Sequence, residues 1–180
     1  MRKVLHLIRH GETSANASRM IAGWEDVPLT QRGQAQARAL RDRFDGQAFE
    51  GIWSSDLARA VETARLAYRE PVRDARIREL HFGDLEGAHW ERLDLDILEQ
   101  IADFRSFAAP GGETVGAMEV RIHEFVDDLA VGEHLLFTHG GVIRLLLHDL
   151  GIRRFLGNCA IVVVDWDKKE IIAEYESPAV

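Results

Sequence analysis

Apolar and polar residues alternate along this chain with two different spacings, which predict strands and helices in turn. Continuous apolar runs are typical of strands buried on both faces, and they occur at residues 4–8, 52–53, 135–138 and 161–164. Apolar residues three or four positions apart indicate amphipathic helices, most clearly at Val115, Met118, Ile122, Val126 and Leu129.

Signals at segment ends extend this prediction. Thr30 is a suitable N-cap for a helix through about Phe44. Further helices are predicted near 56–68, 90–104 and 140–150. We expect a short extended piece from Pro71 to about Leu80, followed by a loop over 81–89. Apolar residues at 161–164 and 171–172, around a polar turn, predict a β-hairpin.

The order of these segments predicts the class α/β. Alternating strands and helices form largely parallel sheets with helices on both faces, so we expect a three-layer α/β/α sandwich. The hairpin adds antiparallel strands at the C-terminal end. A chain of 180 residues is typical of a single domain, here residues 1–180.

Composition excludes several classes of protein. Hydrophobic residues make up 46% of the chain, too many for a disordered protein, but no apolar run reaches the roughly 20 residues of a membrane helix. A net charge of −8 argues against nucleic acid as a partner. Cys159 is the lone cysteine and no signal-peptide pattern is present, so we expect a reducing, cytoplasmic location.

Acidic residues are concentrated between residues 84 and 103, where Arg92 is the one arginine or lysine. The acids are Asp84, Glu86, Glu91, Asp94, Asp96, Glu99 and Asp103. We interpret them as a solvated helix face. If that face borders an active site, it would also repel substrates with several negative charges.

Three predicted strands are each followed by polar residues that folding alone does not require. They are Arg9-His10, the stretch from Ser54 to Arg59, and Thr138-His139-Gly140-Gly141. A lone histidine or arginine is more often structural than catalytic. Ligands of open α/β sheets, however, bind beyond the carboxyl ends of the strands, so three such ends together predict one anion site. Arg59, in the first turn of its helix, opposes the helix dipole unless an anion binds nearby.

These residues resemble the histidine phosphatase superfamily, the phosphoglycerate mutase-like proteins. The matching stretches, in family order, are 7–13 with Asn16, 23–30, 54–60 with Thr63-Ala64, 78–80 with Phe82-Gly83 and Glu86-Gly87, and 138–141 with Ile143-Arg144. The resemblance implies the phosphoglycerate mutase-like fold. Within the family, the short length and motif set are most similar to bacterial α-ribazole-phosphate phosphatases and related broad-specificity phosphatases.

The resemblance also implies roles for individual residues. His10 would be the nucleophile, and Arg9 and Arg59 would clamp the phosphoryl oxygens with forked hydrogen bonds. His139 would donate to an equatorial oxygen, assisted by the Gly140 backbone and by Asn16. Glu79 would be the general acid, although the residues alone also allow a surface glutamate paired with Arg78, and Asp84 or Glu86 would be the fallback.

Other substrate contacts are expected from Gly23, Trp24 and His81, although aromatic residues more often serve packing. The remaining histidines lack zinc-site spacing, so we expect neither a metal nor another cofactor. Segment 81–112 is expected to form a loop and helix over the active site, and its acidic part, 84–103, to favour substrates with few charges beyond the phosphate.

The expected activity is a metal-independent phosphatase acting on a small phosphomonoester through a phosphohistidine. The alternative is a phosphoglycerate mutase, but the family's mutases are longer and carry extra basic residues where this chain is acidic. A catalytically silent module that binds a phospho-ligand or a protein would be expected to lack His10, Arg59 or Glu79. The ester could be a phosphoserine or a sugar phosphate, and a homodimer is possible.

Overall fold

A computed structural model describes residues 2–180 and contains a six-stranded sheet. The strands are β1 (Lys3–Arg9), β2 (Gly51–Ser54), β3 (Val72–Arg73), β4 (Gly132–Thr138), β5 (Ile161–Asp165) and β6 (Glu170–Tyr175). Their order is β3-β2-β4-β1-β5-β6. The first four run parallel, whereas β5 pairs antiparallel with β1 and β6 antiparallel with β5. This arrangement confirms the predicted fold class.

Seven α-helices connect the strands within the described residues. They are α1 (Ser14–Ala17), α2 (Gln31–Ala39), α3 (Arg41–Phe44), α4 (Ala58–Ala67), α5 (Leu95–Asp103), α6 (Val115–Asp128) and α7 (Gly140–His148). None of the helices in residues 2–180 is both long enough and apolar enough to cross a membrane.

The sheet separates two apolar cores because successive side chains of a strand point to opposite faces. Leu5 and Leu7 of β1 pack in one core with α6 and α7. Val4 and Ile8 pack in the other core with α2, α3 and α4. Helices on both faces of the sheet complete the three layers.

Three predicted segments differ from the structure. The helix after Thr30 is interrupted at Leu40, between α2 and α3, although the Thr30 hydroxyl accepts the Gly33 N–H as an N-cap should. The piece after Pro71 is extended only over β3, because the Asp74 carboxylate accepts the Arg76 N–H and begins a 3₁₀ turn over Ala75–Ile77.

The third difference lies at the start of α5. Helical spacing predicts a helix from Trp90, but Trp90–Arg92 form a 3₁₀ turn and Leu93 and Asp94 are extended. The helical spacing of apolar residues therefore continues across an interruption of the helix. The packing of side chains and the path of the main chain are separate constraints.

The two ends of segment 81–112 lie next to each other. The Glu113 N–H donates to the His81 carbonyl at 2.9 Å, and the Asp84 N–H donates to the Pro110 carbonyl at 2.8 Å. Gly83 has φ +53° in this closure, and a Cβ there would overlap the Pro110 carbonyl oxygen. Glycine thus allows the two ends of the segment to approach closely.

Candidate active site

The sheet register brings the three polar strand ends together. β2, β4 and β1 are neighbours and parallel, with Arg9 opposite Thr138 and Ser54 opposite Phe137. Their carboxyl ends therefore lie at one edge of the sheet. A cavity of about 160 Å³ opens there, and its polar lining comprises Arg9, His10, Thr13, Asn16, Arg59, Glu79, Gly140 and Gly141.

His10 is buried and has a defined tautomer. Its Nδ1 lies 2.8 Å from the Gly11 carbonyl oxygen. A carbonyl can only accept, so Nδ1 carries the proton and Nε2 has the free lone pair. Burial, followed by the charges of Arg59 and Arg9, lowers the pKa of His10 well below its usual value. The imidazole is therefore neutral, as a nucleophile must be.

His139 packs edge-on against His10, with ring centroids 5.2 Å apart. Its side chain is fully buried and is not itself part of the cavity lining, and neither Nδ1 nor Nε2 has a hydrogen-bond partner among residues 2–180. Buried polar atoms are nearly always bonded, so this ring is suited to an external acceptor such as a phosphoryl oxygen. Burial, together with Arg59 and other nearby groups, lowers the pKa of His139 well below its usual value.

The two arginines are held by backbone carbonyls. Arg59 is 1% exposed and donates from Nη1 to the Glu25 carbonyl at 2.9 Å and from Nη2 to the Gly23 carbonyl at 2.6 Å. Arg9 donates from Nη1 to the Leu156 carbonyl at 2.6 Å, while its buried Nε has no partner among the described residues. Burial lowers the pKa of both guanidinium groups, but their ordinary pKa is so high that they stay charged.

Glu79 reaches the same cavity from the loop after the 3₁₀ turn. Oε1 accepts the Leu80 N–H at 2.9 Å, and Oε2 accepts the Gly141 N–H at the start of α7 at 3.0 Å. Arg78 instead pairs with Asp56, at 2.7 and 2.5 Å, so the alternative surface pair between Arg78 and Glu79 is wrong. Among the acids of 81–112, none lines the cavity.

The other predicted contacts divide into two groups. Asn16 and Gly140 line the cavity, whereas Gly23, Trp24 and His81 do not. The Gly23 carbonyl holds Arg59, and the Trp24 indole donates to the Glu79 carbonyl at 2.9 Å with its ring 4.8 Å from that of His81. None of these three residues is part of the cavity lining, and their direct role in substrate binding stays a prediction.

A family model described as the histidine phosphatase superfamily (branch 1) matches residues 5–175. The chain belongs to the histidine phosphatase superfamily. It is 34% identical over 158 residues to the adenosylcobalamin/alpha-ribazole phosphatase of Escherichia coli, covering 81% of this chain and 78% of the relative. It is 31% identical over 192 residues to the "probable phosphoglycerate mutase GpmB" of Serratia proteamaculans, covering 94% of this chain and 87% of the relative.

Solved structures in the histidine phosphatase superfamily agree with the fold. The crystal structure of phosphoglycerate mutase from Thermus thermophilus superposes with a TM-score of 0.90 at 40% identity, covering 97% of this chain and 99% of that one. Proteins named as phosphatases and as mutases are therefore both similar to this chain, so the family by itself does not decide between hydrolysis and transfer.

Sequence reasoning missed one residue of this histidine phosphatase site. The Asn158 amide donates to the His10 carbonyl and to Asn16 Oδ1, each at 3.1 Å. Asn16 Oδ1 also accepts the Thr13 N–H at 3.2 Å, which leaves the Asn16 amide N–H groups for the cavity. A single asparagine before the apolar β5 has no pattern of its own, so only the pairing of β5 with β1 could reveal it.

Arg121 makes more contacts than its place in the sequence predicts. It pairs with Glu113, and it also donates to the carbonyls of Arg76, Arg78 and Glu79 at 2.7 to 2.9 Å. One guanidinium thus fixes the loop that carries Glu79.

Outside the cavity, Glu119, His123 and Asp149 place possible metal-ligand atoms within 4.8 Å of one another. Arg105 forms ion pairs with both carboxylates. These contacts are those of a salt-bridge network, and we assign no metal to it.

Proposed function

We propose that this chain is a metal-independent phosphatase that hydrolyses a small phosphomonoester through a phosphohistidine intermediate. The observation that carries the proposal is the state of His10, whose Nδ1 proton is committed to Gly11 and whose imidazole is kept neutral by burial beside Arg59 and Arg9. A neutral nucleophile beside fixed cations suits attack on an anionic phosphorus centre.

In the first step, His10 Nε2 attacks phosphorus and the bond from phosphorus to the alcohol oxygen breaks. Arg9 and Arg59 balance the charge on the phosphoryl oxygens, and His139 donates a hydrogen bond to one of them. Glu79 gives its proton to the leaving oxygen, because an alkoxide is otherwise a poor leaving group.

In the second step, water attacks the phosphohistidine and Glu79 takes up its proton. The bond between Nε2 and phosphorus breaks, inorganic phosphate is released, and His10 is neutral again. The two arginines supply positive charge throughout, which is the work a metal ion does in many other phosphoryl transfer enzymes.

The test is phosphate release from a panel of metabolite phosphates with a chelator present. We expect turnover that the chelator does not change, complete loss in His10→Ala and a strong decrease in Glu79→Gln. His123→Ala is the matched control, since His123 does not line the cavity. Acid quenching during turnover should trap an acid-labile phosphoprotein in the parent and not in His10→Ala. Dependence on added Mg²⁺ would contradict the proposal.

The second candidate is phosphoryl transfer between phosphoglycerates, favoured by the names of the similar mutases. In that reaction the phosphohistidine returns its phosphoryl group to the substrate. Interconversion of 2- and 3-phosphoglycerate without net release of phosphate would establish the mutase. A catalytically silent binding module is disfavoured because His10, Arg59 and Glu79 are all present at the cavity.

A further inference from the structure

The cavity at the active site has two unlike halves. The polar half holds the catalytic residues, and the other half is apolar and largely aromatic. Its apolar lining comprises Met20, Ala22, Leu80, Phe82, Trp90, Ile101, Phe104, Phe107 and Phe155. Five of these residues belong to segment 81–112. A phosphate ester bound by Arg9 and Arg59 would therefore direct its alcohol part along carbon surfaces.

Arg144 is the one cation of the described cavity lining outside the polar half. Its Nη1 donates to the Ile101 carbonyl at 2.8 Å, and its Nη2 donates to the Ala102 carbonyl at 2.7 Å. Its guanidinium lies 4.2 Å from the Phe104 ring centroid and 4.5 Å from that of Phe155. Each terminal nitrogen thus gives one N–H to a carbonyl of α5 and two aromatic rings flank the group, so Arg144 ties the C-terminal part of α5 to the apolar half.

Three acids of this segment lie on its outer side. Asp94, Asp96 and Glu99 are exposed and do not line the cavity, whereas Ile101 on the same helix does. The surface that faces the cavity therefore selects substrates through apolar contacts. The three acidic residues form a solvated face on the other side. Selection against further anionic groups then comes from the cost of burying a charge against carbon.

We propose, resting on the proposed phosphatase activity, that the substrate is the monoester of a ring-bearing, apolar alcohol that carries no second anionic group. The phosphate binds in the polar half, and the ring lies against the aromatic surfaces of the apolar half. Phe155 is 71% exposed and also lines the cavity, so it stands at the rim, where a bound ring would cover it.

The test compares 2-phenylethyl phosphate with ethyl phosphate, since both release primary alcohols. Burial of one phenyl ring predicts kcat/KM at least about tenfold higher for the phenylethyl ester. We expect Phe155→Ala to lower kcat/KM for 2-phenylethyl phosphate about fivefold, because contact at the rim is lost. For ethyl phosphate, kcat/KM should change by less than about twofold. Leu95→Ala is the matched control: Leu95 is 76% exposed on α5 and does not line the cavity.

A binding measurement separates this inference from the phosphatase proposal. Calorimetry with 3-phenylpropylphosphonate and propylphosphonate, which cannot be hydrolysed, should give a Kd about tenfold lower for the ring-bearing compound. Absence of phosphate release with this Kd difference intact would overturn the phosphatase and keep the specificity. Equal Kd values, equal kcat/KM for the two esters, or a higher kcat/KM for 3-phosphoglycerate would overturn the specificity.

Discussion

Asn158 donates to Asn16 Oδ1 at 3.1 Å although 142 residues separate the two positions. The same amide donates to the His10 carbonyl, so one side chain in the turn before β5 holds both the His10 backbone and the side chain of Asn16. Asn158 does not line the cavity, and we treat it as a positioning residue.

Asn158→Ala should lower kcat by about thirtyfold, because loss of each oriented hydrogen bond is worth about 1 kcal/mol and two such bonds disappear. KM should change less than twofold, since Arg9 and Arg59 remain. The melting temperature should fall only slightly, because Asn158 is half-buried and not part of either apolar core. In a protein that already carries Asn16→Ala, Asn158→Ala should lower kcat by a smaller factor than it does in the parent protein. Fully additive losses would show that the two residues act independently.

Gly141→Ala should disable the general acid. A Cβ at Gly141 would overlap Glu79 Oε1, so the carboxyl must leave its position. We expect kcat to fall strongly for ethyl phosphate and much less for 4-nitrophenyl phosphate, whose phenolate leaves without a proton. Gly116→Ala is the control, because the nearest atom to a Cβ there is 3.8 Å away. Equal losses on both esters would contradict the assignment of Glu79.

Stability should decrease as the pH falls from about 7 to 5.5. His10 and His139 are neutral when folded, with pKa values well below 6.5, but they bind protons once unfolded. The unfolded state then holds more protons, so the free energy of unfolding rises with pH by up to about 1.4 kcal/mol per pH unit for each histidine. Burial also lowers the pKa of His6, which adds in the same direction. Urea unfolding at several pH values measures the slope, and His139→Ala should reduce it.

Arg144→Lys should destabilise the protein by about 1–3 kcal/mol. A lysine cannot bond two adjacent carbonyls in one plane while its faces contact Phe104 and Phe155, as Arg144 does. Arg153→Lys provides the control, because Arg153 is exposed. Chemical denaturation checks the difference, and equal midpoints for the two variants would show that the stacked arrangement contributes little.

Much of the site could be predicted because its residues follow strands. Arg9, His10 and His139 stand at the ends of apolar runs, where both their spacing and the chemistry of their side chains are informative. The convergence of these ends required only the general rule for parallel sheets. The contacts of Gly23 and Trp24 could not be predicted, because a motif does not specify whether a residue touches substrate or holds a residue that does.

The sequence by itself determined the alternation of strands and helices, the α/β class, the N-cap at Thr30 and the position of His10 directly after an apolar strand, since each depends on local spacing or on side-chain chemistry. Tertiary structure alone decided that Asn158 would reach Asn16, that Arg78 would pair with Asp56 and not with Glu79, and that the acidic segment would turn its apolar side to the cavity. The physical reason is that these contacts join residues far apart in the chain, and strand order and helix rotation bring them together, neither of which a local pattern contains.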